Sequence, residues 1–343
     1  SPYGRFASLR HWYSRSEQTS EAAEARLLSR LQFFSVGGKT IATPGESKTV
    51  ARVGLVDLDG DGVRKINTLV IDQVGNDFDV TDHKMTRSEY ITNNKLGFNP
   101  ESQTKVSVQS GTTTTVDIPP KKHNLDSLEK WRQVQKIEKM TLLGHSLGGY
   151  FAAVYALKYP QYVERLILVS PAGIPPNPYE NNKDLKNSTG RTIPRWVIKL
   201  WEANFTPQLI MRLTGPFGPS LVSQYTSRRF AHLDEQDRID LHDYLYHISA
   251  APGSGEYAMS RILAPGAYAR KPLMNRLENL KMPTVFMYGE EDWMDYRAAE
   301  EARTKMHVPT EVIRIPNAGH HLYLDNPVEF DKAVISIMLE VEN

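Results

Sequence analysis

The sequence predicts an α/β protein built on a parallel sheet with helices on both faces, and three observations predict it. From residue 124 onward, short apolar runs of strand length alternate with longer runs of helical period. A Gly-x-Ser-x-Gly sequence, Gly144 to Gly148, sits where one such strand turns into a helix. A stretch rich in Pro, Trp and Tyr, with helical segments but no strand rhythm, interrupts the alternation at 172–282. Such an interruption is the mark of a helical cap inserted between strands.

Taken in order, residues 18–34 read as a helix, with Ala22, Ala25, Leu27, Leu28 and Leu31 at helical spacing. Val50 to Leu58 and Ile66 to Val74 read as strands joined by Asp59-Gly60-Asp61-Gly62, a β-hairpin. Asp57, Asp59, Asp61 and Gly62 imitate the first half of a calcium loop, but Thr68 stands where the bidentate Glu belongs, so a plain turn is favoured. Residues 75–122, with Gly111 and four threonines and then Pro119-Pro120-Lys121-Lys122, are too polar to bury much and read as a long mobile insertion. Leu125 to Gln135 is a predicted helix, Met140 to Leu143 a short buried strand, Leu147 to Tyr159 a helix of small residues, and Arg165 to Ser170 a second strand. After the cap come strands at Thr284 to Tyr288 and Glu311 to Ile315, separated by a helix around 297–306. The last helix starts near Pro327, with Asn326 as its N-cap and Glu329 in its first turn.

The 343 residues suffice for one large α/β domain with an inserted cap, or for two ordinary domains. Lys plus Arg number 41 against 40 Asp plus Glu, a formal net charge of +1, so no global field gathers nucleic acid. The absence of cysteine excludes disulfides, thiolate metal sites and a Cys nucleophile. No run of eighteen apolar residues offers a membrane-spanning helix. Arg5, Arg10 and Arg15, with no acidic residue before Glu17, have the composition of a targeting segment and equally of a solvated arm.

Chemistry concentrates at the C-terminal ends of the predicted strands. A tight strand-to-helix turn holds Ser146 in a strained conformation, with Gly144, Gly148 and Gly149 leaving room for close backbone approach. The N–H of Leu147 then points at a developing oxyanion, aided by the positive end of the helix. Partners follow in the order serine, acid, histidine. Asp292, in Tyr288-Gly289-Glu290-Glu291-Asp292, is the favoured acid, and Asp295 is the alternative. His320, in Ala318-Gly319-His320-His321, is placed to take the proton from Ser146 and return it to a leaving alcohol. This is the layout of an α/β hydrolase, a chemistry that calls for no metal and no cofactor.

The run GHSLGGYFAAVYALKYPQYVERLILVSPAGIP resembles the α/β-hydrolase subfamily of lipid acyl-hydrolases and acyltransferases. That subfamily includes the fungal mitochondrial cardiolipin-specific deacylase and animal relatives that act on lysophospholipids or regulate triglyceride lipase. RWVIKLWEAN, GPFGPSLVSQYTSRRF, SGEYAMSRILAPGAYARKPL and GHHLYLDNP carry the same resemblance through the cap and the last loop. It covers 124–343 well and 18–74 more weakly. It implies hydrolysis of a phospholipid ester, cardiolipin or a lysophospholipid favoured, at a peripheral membrane surface. The implied location is mitochondrial, with cytosol or lipid droplet as the alternative. It also implies that His320-x-x-x-x-Asp325 is an acyltransferase signature, although His320 already has a role and Asp325 suits a cap of the last helix.

The resulting layout is an N-terminal helix and hairpin (1–74), a polar insertion (75–123), the hydrolase core (124–171 and 283–343) and the helical cap (172–282). In the cap, Trp196, Trp201, Leu209, Met211, Pro216 and Phe217 suit acyl chains or a membrane face. Arg195, Lys199, Arg212, Arg228 and Arg229 suit either lipid phosphates or solvated helix faces. One departure stands out. Members of the subfamily pass from a Lys-Lys-His-like run into a strand ending in His-Gly, whose loop gives the second oxyanion N–H, and then into a further strand. Here Lys121-Lys122-His123 runs straight into the helix that begins Asn124-Leu125. Two central strands before the nucleophile, and one oxyanion donor, are expected to be missing. A catalytically impaired, lipid-binding or regulatory member is therefore the alternative to an active hydrolase.

Overall fold

A computed structural model describes residues 23, 26, 49–57, 65–73, 120–177, 192–231, 233–251 and 255–339. In chain order its first elements are β1 (Thr49–Asp57), β2 (Lys65–Gln73), α1 (Pro120–Val134), β3 (Met140–His145), α2 (Leu147–Lys158) and β4 (Val163–Val169). Next come α3 (Arg195–Glu202), α4 (Pro207–Leu213), α5 (Gly218–Arg229), α6 (Glu235–Ala250), α7 (Met259–Ile262) and the two-residue strands β5 (Leu263–Ala264) and β6 (Tyr268–Ala269). The chain closes with β7 (Thr284–Gly289), α8 (Arg297–Arg303), β8 (Thr310–Ile315), α9 (Leu322–Asp325) and α10 (Pro327–Leu339).

The chain divides into two compact units, Ser1–Lys136 with Pro207–Ser254, and Ile137–Thr206 with Gly255–Asn343. In the first unit β1 and β2 pair antiparallel from Thr49↔Gln73 to Asp57↔Lys65, the expected hairpin. Its Asp59–Gly62 turn, with the calcium-like spacing, lies outside the described residues, as do most of the helix expected at 18–34, the insertion at 75–119 and the N-terminal arm. Helix α1 starts at Pro120, five residues before the predicted start at Leu125. Proline suits that place, because its fixed φ is helical and its missing N–H has no intrahelical acceptor to lose. In α1 a buried Arg132 meets Glu129 at 2.8 Å, which offsets the burial of both charges. Asp234 caps α6 by accepting the Asp237 N–H at 2.8 Å. Met211, Tyr246 and Ala250 form a small core there, with Val222 against it.

The second unit holds a four-stranded parallel sheet in the order β3-β4-β7-β8. Register alternation explains its core. Ile167, Val169, Val285, Met287 and Ile315 share one face and pack with Phe330 and Ile337 of α10. The neighbouring residues Leu166, Leu168 and Phe286 are fully buried on the opposite face. Helix α2, with Tyr150, Ala153, Tyr155 and Ala156 buried, packs on β3 and β4. Among the described residues β3 pairs with β4 alone, so it stands at the sheet edge, and Leu143 on it is 43% exposed. Asn326 caps α10 as predicted, its Oδ1 accepting the Glu329 N–H at 3.3 Å. The cap segment differs from its helices-only expectation by the short β5–β6 ladder, Leu263↔Ala269 and Ala264↔Tyr268.

Candidate active site

Parallel strands end together, and so loops after different strands converge at one edge of a sheet. Ser146 follows β3, Ser170 follows β4, Asp292 lies three residues past β7, and His320 lies five residues past β8. Ser146 has φ 56° and ψ −119°, a left-handed region conformation that costs of order 1–3 kcal/mol for a residue with a side chain. The turn is held from outside: the Ser146 N–H donates to Val169 O at 2.9 Å, and Ser146 O accepts from the Tyr150 and Ala172 N–H groups. A Cβ on Gly144 would stand 2.5 Å from Gly148 O, and one on Gly149 would stand 2.9 Å from Pro171 Cβ. Both glycines therefore meet the close-approach expectation. Gly148 does not, since nothing lies within 4 Å of the place its Cβ would take.

His320 is buried and its two ring nitrogens face two different partners. Nε2 lies 3.0 Å from Ser146 Oγ, and Nδ1 lies 3.1 Å from Asp292 Oδ1. A carboxylate only accepts, so Nδ1 carries the hydrogen, and Nε2 is left with its lone pair toward the serine hydroxyl. Asp292 also accepts the Met294 N–H at 2.9 Å and the Ser170 hydroxyl. Burial pushes the Asp292 carboxyl up, but these donors, His320 foremost, outweigh it and hold the group below its ordinary range. Asp295, the alternative acid, is engaged elsewhere: its Oδ1 accepts the Arg297 N–H at 3.0 Å at the start of α8. The Leu147 N–H opens α2, where helix geometry leaves it without an intrahelical acceptor. Asp325 Oδ2 accepts the Gly319 N–H at 2.9 Å and so fixes the loop that carries His320.

Several residues of this site carried no signal that the sequence reading used. A Cβ on Gly289 would stand 2.1 Å from Ala318 O and 2.4 Å from Gly319 O. Only glycine lets the two loops pass so closely, and the passage brings His320 onto Asp292. Ser170, a polar residue ending an apolar strand, was the available clue to a carboxylate partner. Trp293 lays its ring 4.9 Å from that of His320. Two of the apolar residues expected to meet acyl chains or a membrane face, Met211 and Trp201, have other contacts. Met211 belongs to the small core, and Trp201 Nε1 donates to Leu263 O at 2.9 Å. Arg212 donates to the carbonyls of Ser249 and Ala251, both at 3.3 Å. Among the described residues no helix is long and apolar enough to cross a membrane.

A serine, an imidazole and a carboxylate in this order and geometry at the carboxyl edge of a parallel sheet define a class: enzymes of acyl transfer on the α/β-hydrolase scaffold. The model of the α/β hydrolase fold matches residues 123–327, and the chain belongs to that family. It is 37% identical to a probable 1-acylglycerol-3-phosphate O-acyltransferase of Oryza sativa subsp. japonica, over 97% of this chain and 84% of that one. It is 46% identical to a 1-acylglycerol-3-phosphate O-acyltransferase of Arabidopsis thaliana, over 62% of this chain and 52% of that one. It is 35% identical to a (lyso)-N-acylphosphatidylethanolamine lipase of Homo sapiens, over 63% of each. The chain thus spans about half the length of the Arabidopsis relative.

Proposed function

We propose that this chain deacylates a phospholipid, with cardiolipin or a lysophospholipid favoured, through an acyl-enzyme on Ser146. One observation carries the reading: the 3.0 Å approach of His320 Nε2 to Ser146 Oγ, with the far side of the ring on Asp292. Ser146 Oγ attacks the ester carbonyl while His320 takes its proton. The oxyanion forms at the Leu147 N–H, and the imidazolium is held by Asp292. His320 then gives the proton to the departing alcohol, and the acyl group stays on Ser146. Water, deprotonated by the same imidazole, releases the fatty acid and restores the serine.

The names of the plant relatives favour a second reading, in which the hydroxyl of a lysophospholipid replaces water and the acyl group moves to it. Both readings share every step up to the acyl-enzyme. The exposed apolar side chains Ile210, Leu213, Phe217, Leu221 and Tyr225, set along α4, the following turn and α5, support contact with a lipid surface at its periphery.

A fluorophosphonate probe checks the shared step: wild type should be labelled and Ser146→Ala should not. Equal labelling of both sinks the reading. Product analysis with radiolabelled phospholipid vesicles, with and without lysophosphatidic acid, then separates fatty-acid release from transfer. Vesicle binding with no labelling and no turnover would support the impaired, lipid-binding alternative.

A further inference from the structure

We propose that His145 is a positioning residue, whose ring ties the loop bearing the general base to the turn bearing the nucleophile. The inference rests on the acyl-enzyme reading of Ser146. Residue 145 immediately precedes Ser146 on β3, and the His320 loop arrives from β8, 175 residues away in sequence. His145 Nε2 lies 2.8 Å from the carbonyl oxygen of His320. A carbonyl only accepts, so Nε2 carries the hydrogen and Nδ1 is the acceptor. The Tyr323 hydroxyl faces that Nδ1 at 3.5 Å, a long contact, with its ring edge-on to the imidazole at 5.3 Å. The ring therefore stands between the backbone of His320 and the short helix α9 that follows the loop, in one defined tautomer.

The consequence is mechanical. Ser146 and the clamp share one strained turn, so a displacement of the nucleophile carries the base with it, and the Nε2 to Oγ distance is preserved. Other hydrogen bonds hold the same loop: Asp325 on the Gly319 N–H, Asn326 Nδ2 on Pro316 O, the Glu291 N–H on Ala318 O, and the Asp292 carboxylate on the His320 ring. The His145 contact reaches the loop backbone from β3, the strand that leads into the nucleophile. The titratable groups facing His145 are His320, His321, Asp292 and Tyr323. Burial depresses the His145 imidazole below its ordinary value, which keeps the neutral, one-donor, one-acceptor form over most of the working range.

The test compares His145→Leu, which removes the donor, with His145→Gln, whose side-chain amide can donate to the same carbonyl. Tyr323→Phe is a third variant at a partly exposed position. The first readout is the rate of fluorophosphonate labelling of Ser146 against pH. His145→Leu should be slower by about tenfold at every pH, the effect of about 1.4 kcal/mol and so of one hydrogen bond, with its pH midpoint unmoved. His145→Gln should recover most of that loss, because its amide restores the bond. A merely space-filling role predicts the reverse order, since leucine fills the site at least as well as glutamine; that order, or equal rates, overturns the proposal. The second readout needs no reaction: the downfield proton resonance of His320 Nδ1–H on Asp292. It should be sharp in wild type and His145→Gln and broadened in His145→Leu; an unchanged resonance in the leucine variant overturns the proposal too. If wild type resists the probe while the resonance behaves as described, the acyl-enzyme reading falls and the clamp stands. Should His145→Leu fail to fold, Tyr323→Phe decides: slower labelling by about twofold supports the clamp, as expected for loss of a weak contact, and labelling at the wild-type rate overturns it.

Discussion

Replacing Gly289 by alanine tests whether the close passage of two loops builds the site. The added methyl would stand 2.1 Å from Ala318 O and 2.4 Å from Gly319 O. An ordinary carbon–oxygen contact is about 3.3 Å, so the 318–319 backbone must retreat by about 1 Å. That backbone leads directly into His320, whose Nε2 and Nδ1 are set at 3.0 Å and 3.1 Å from their partners. A displacement of about 1 Å stretches both contacts beyond hydrogen-bond reach, and misplacement of that size costs about 10²-fold in rate. Overpacking a fitted position costs about 1–3 kcal/mol of stability as well. Labelling of Ser146 by a fluorophosphonate, beside thermal unfolding followed by circular dichroism, reads both effects. Expected are labelling about a hundredfold slower and a melting point lowered by a few degrees. Wild-type labelling in a folded Gly289→Ala protein would refute the reasoning, because it would mean that the loops need no such proximity.

Other outcomes follow from the same contacts. Asp325→Ala removes the acceptor of the Gly319 N–H, so fatty-acid release and acyl transfer should fall together by about tenfold; a variant that loses transfer alone would restore Asp325 to an acyltransferase role. Ser170→Ala removes a donor to a buried carboxylate and should lower stability by about 1.5–3 kcal/mol, measured by urea denaturation at neutral pH. Asp295→Asn changes the acceptor of the Arg297 N–H at the start of α8, and labelling of Ser146 should stay at the wild-type rate; a large loss would bring Asp295 back as the acid. Stability should fall with acid in two windows, because the native state binds fewer protons than the unfolded chain wherever a folded pKa is depressed. Burial of His145 makes the loss begin as pH falls below about 6.5, and the Asp292 hydrogen bonds add to it below about 3.9. Urea midpoints that rise between pH 7 and pH 5 contradict the first of these.

By itself the sequence determined the strands of the parallel sheet, the helices beside them and the residues offered for the site, because these depend on local pattern. Apolar runs at 140–143, 165–170 and 284–288 admit few other structures, and the Gly-rich turn around Ser146 marks a strained nucleophile by its local pattern. The order serine, acid, histidine restricted the partners to two carboxylates and one loop of histidines. Helix starts were less legible: a proline at 120 lies in a polar run, and only the structure makes it the first helical residue of α1. Only the tertiary structure set Asp292 on the His320 ring and Asp295 on the Arg297 N–H, for the two differ by which way a short loop turns after β7, and no periodicity encodes that direction. It alone set Asp325 on the Gly319 N–H, and gave Ser170, Gly289 and His145 their places around the imidazole. The Ser170 and His145 contacts join residues 122 and 175 positions apart. They exist because parallel strands end at one edge of the sheet, and distance in space at such an edge has no counterpart in distance along the chain.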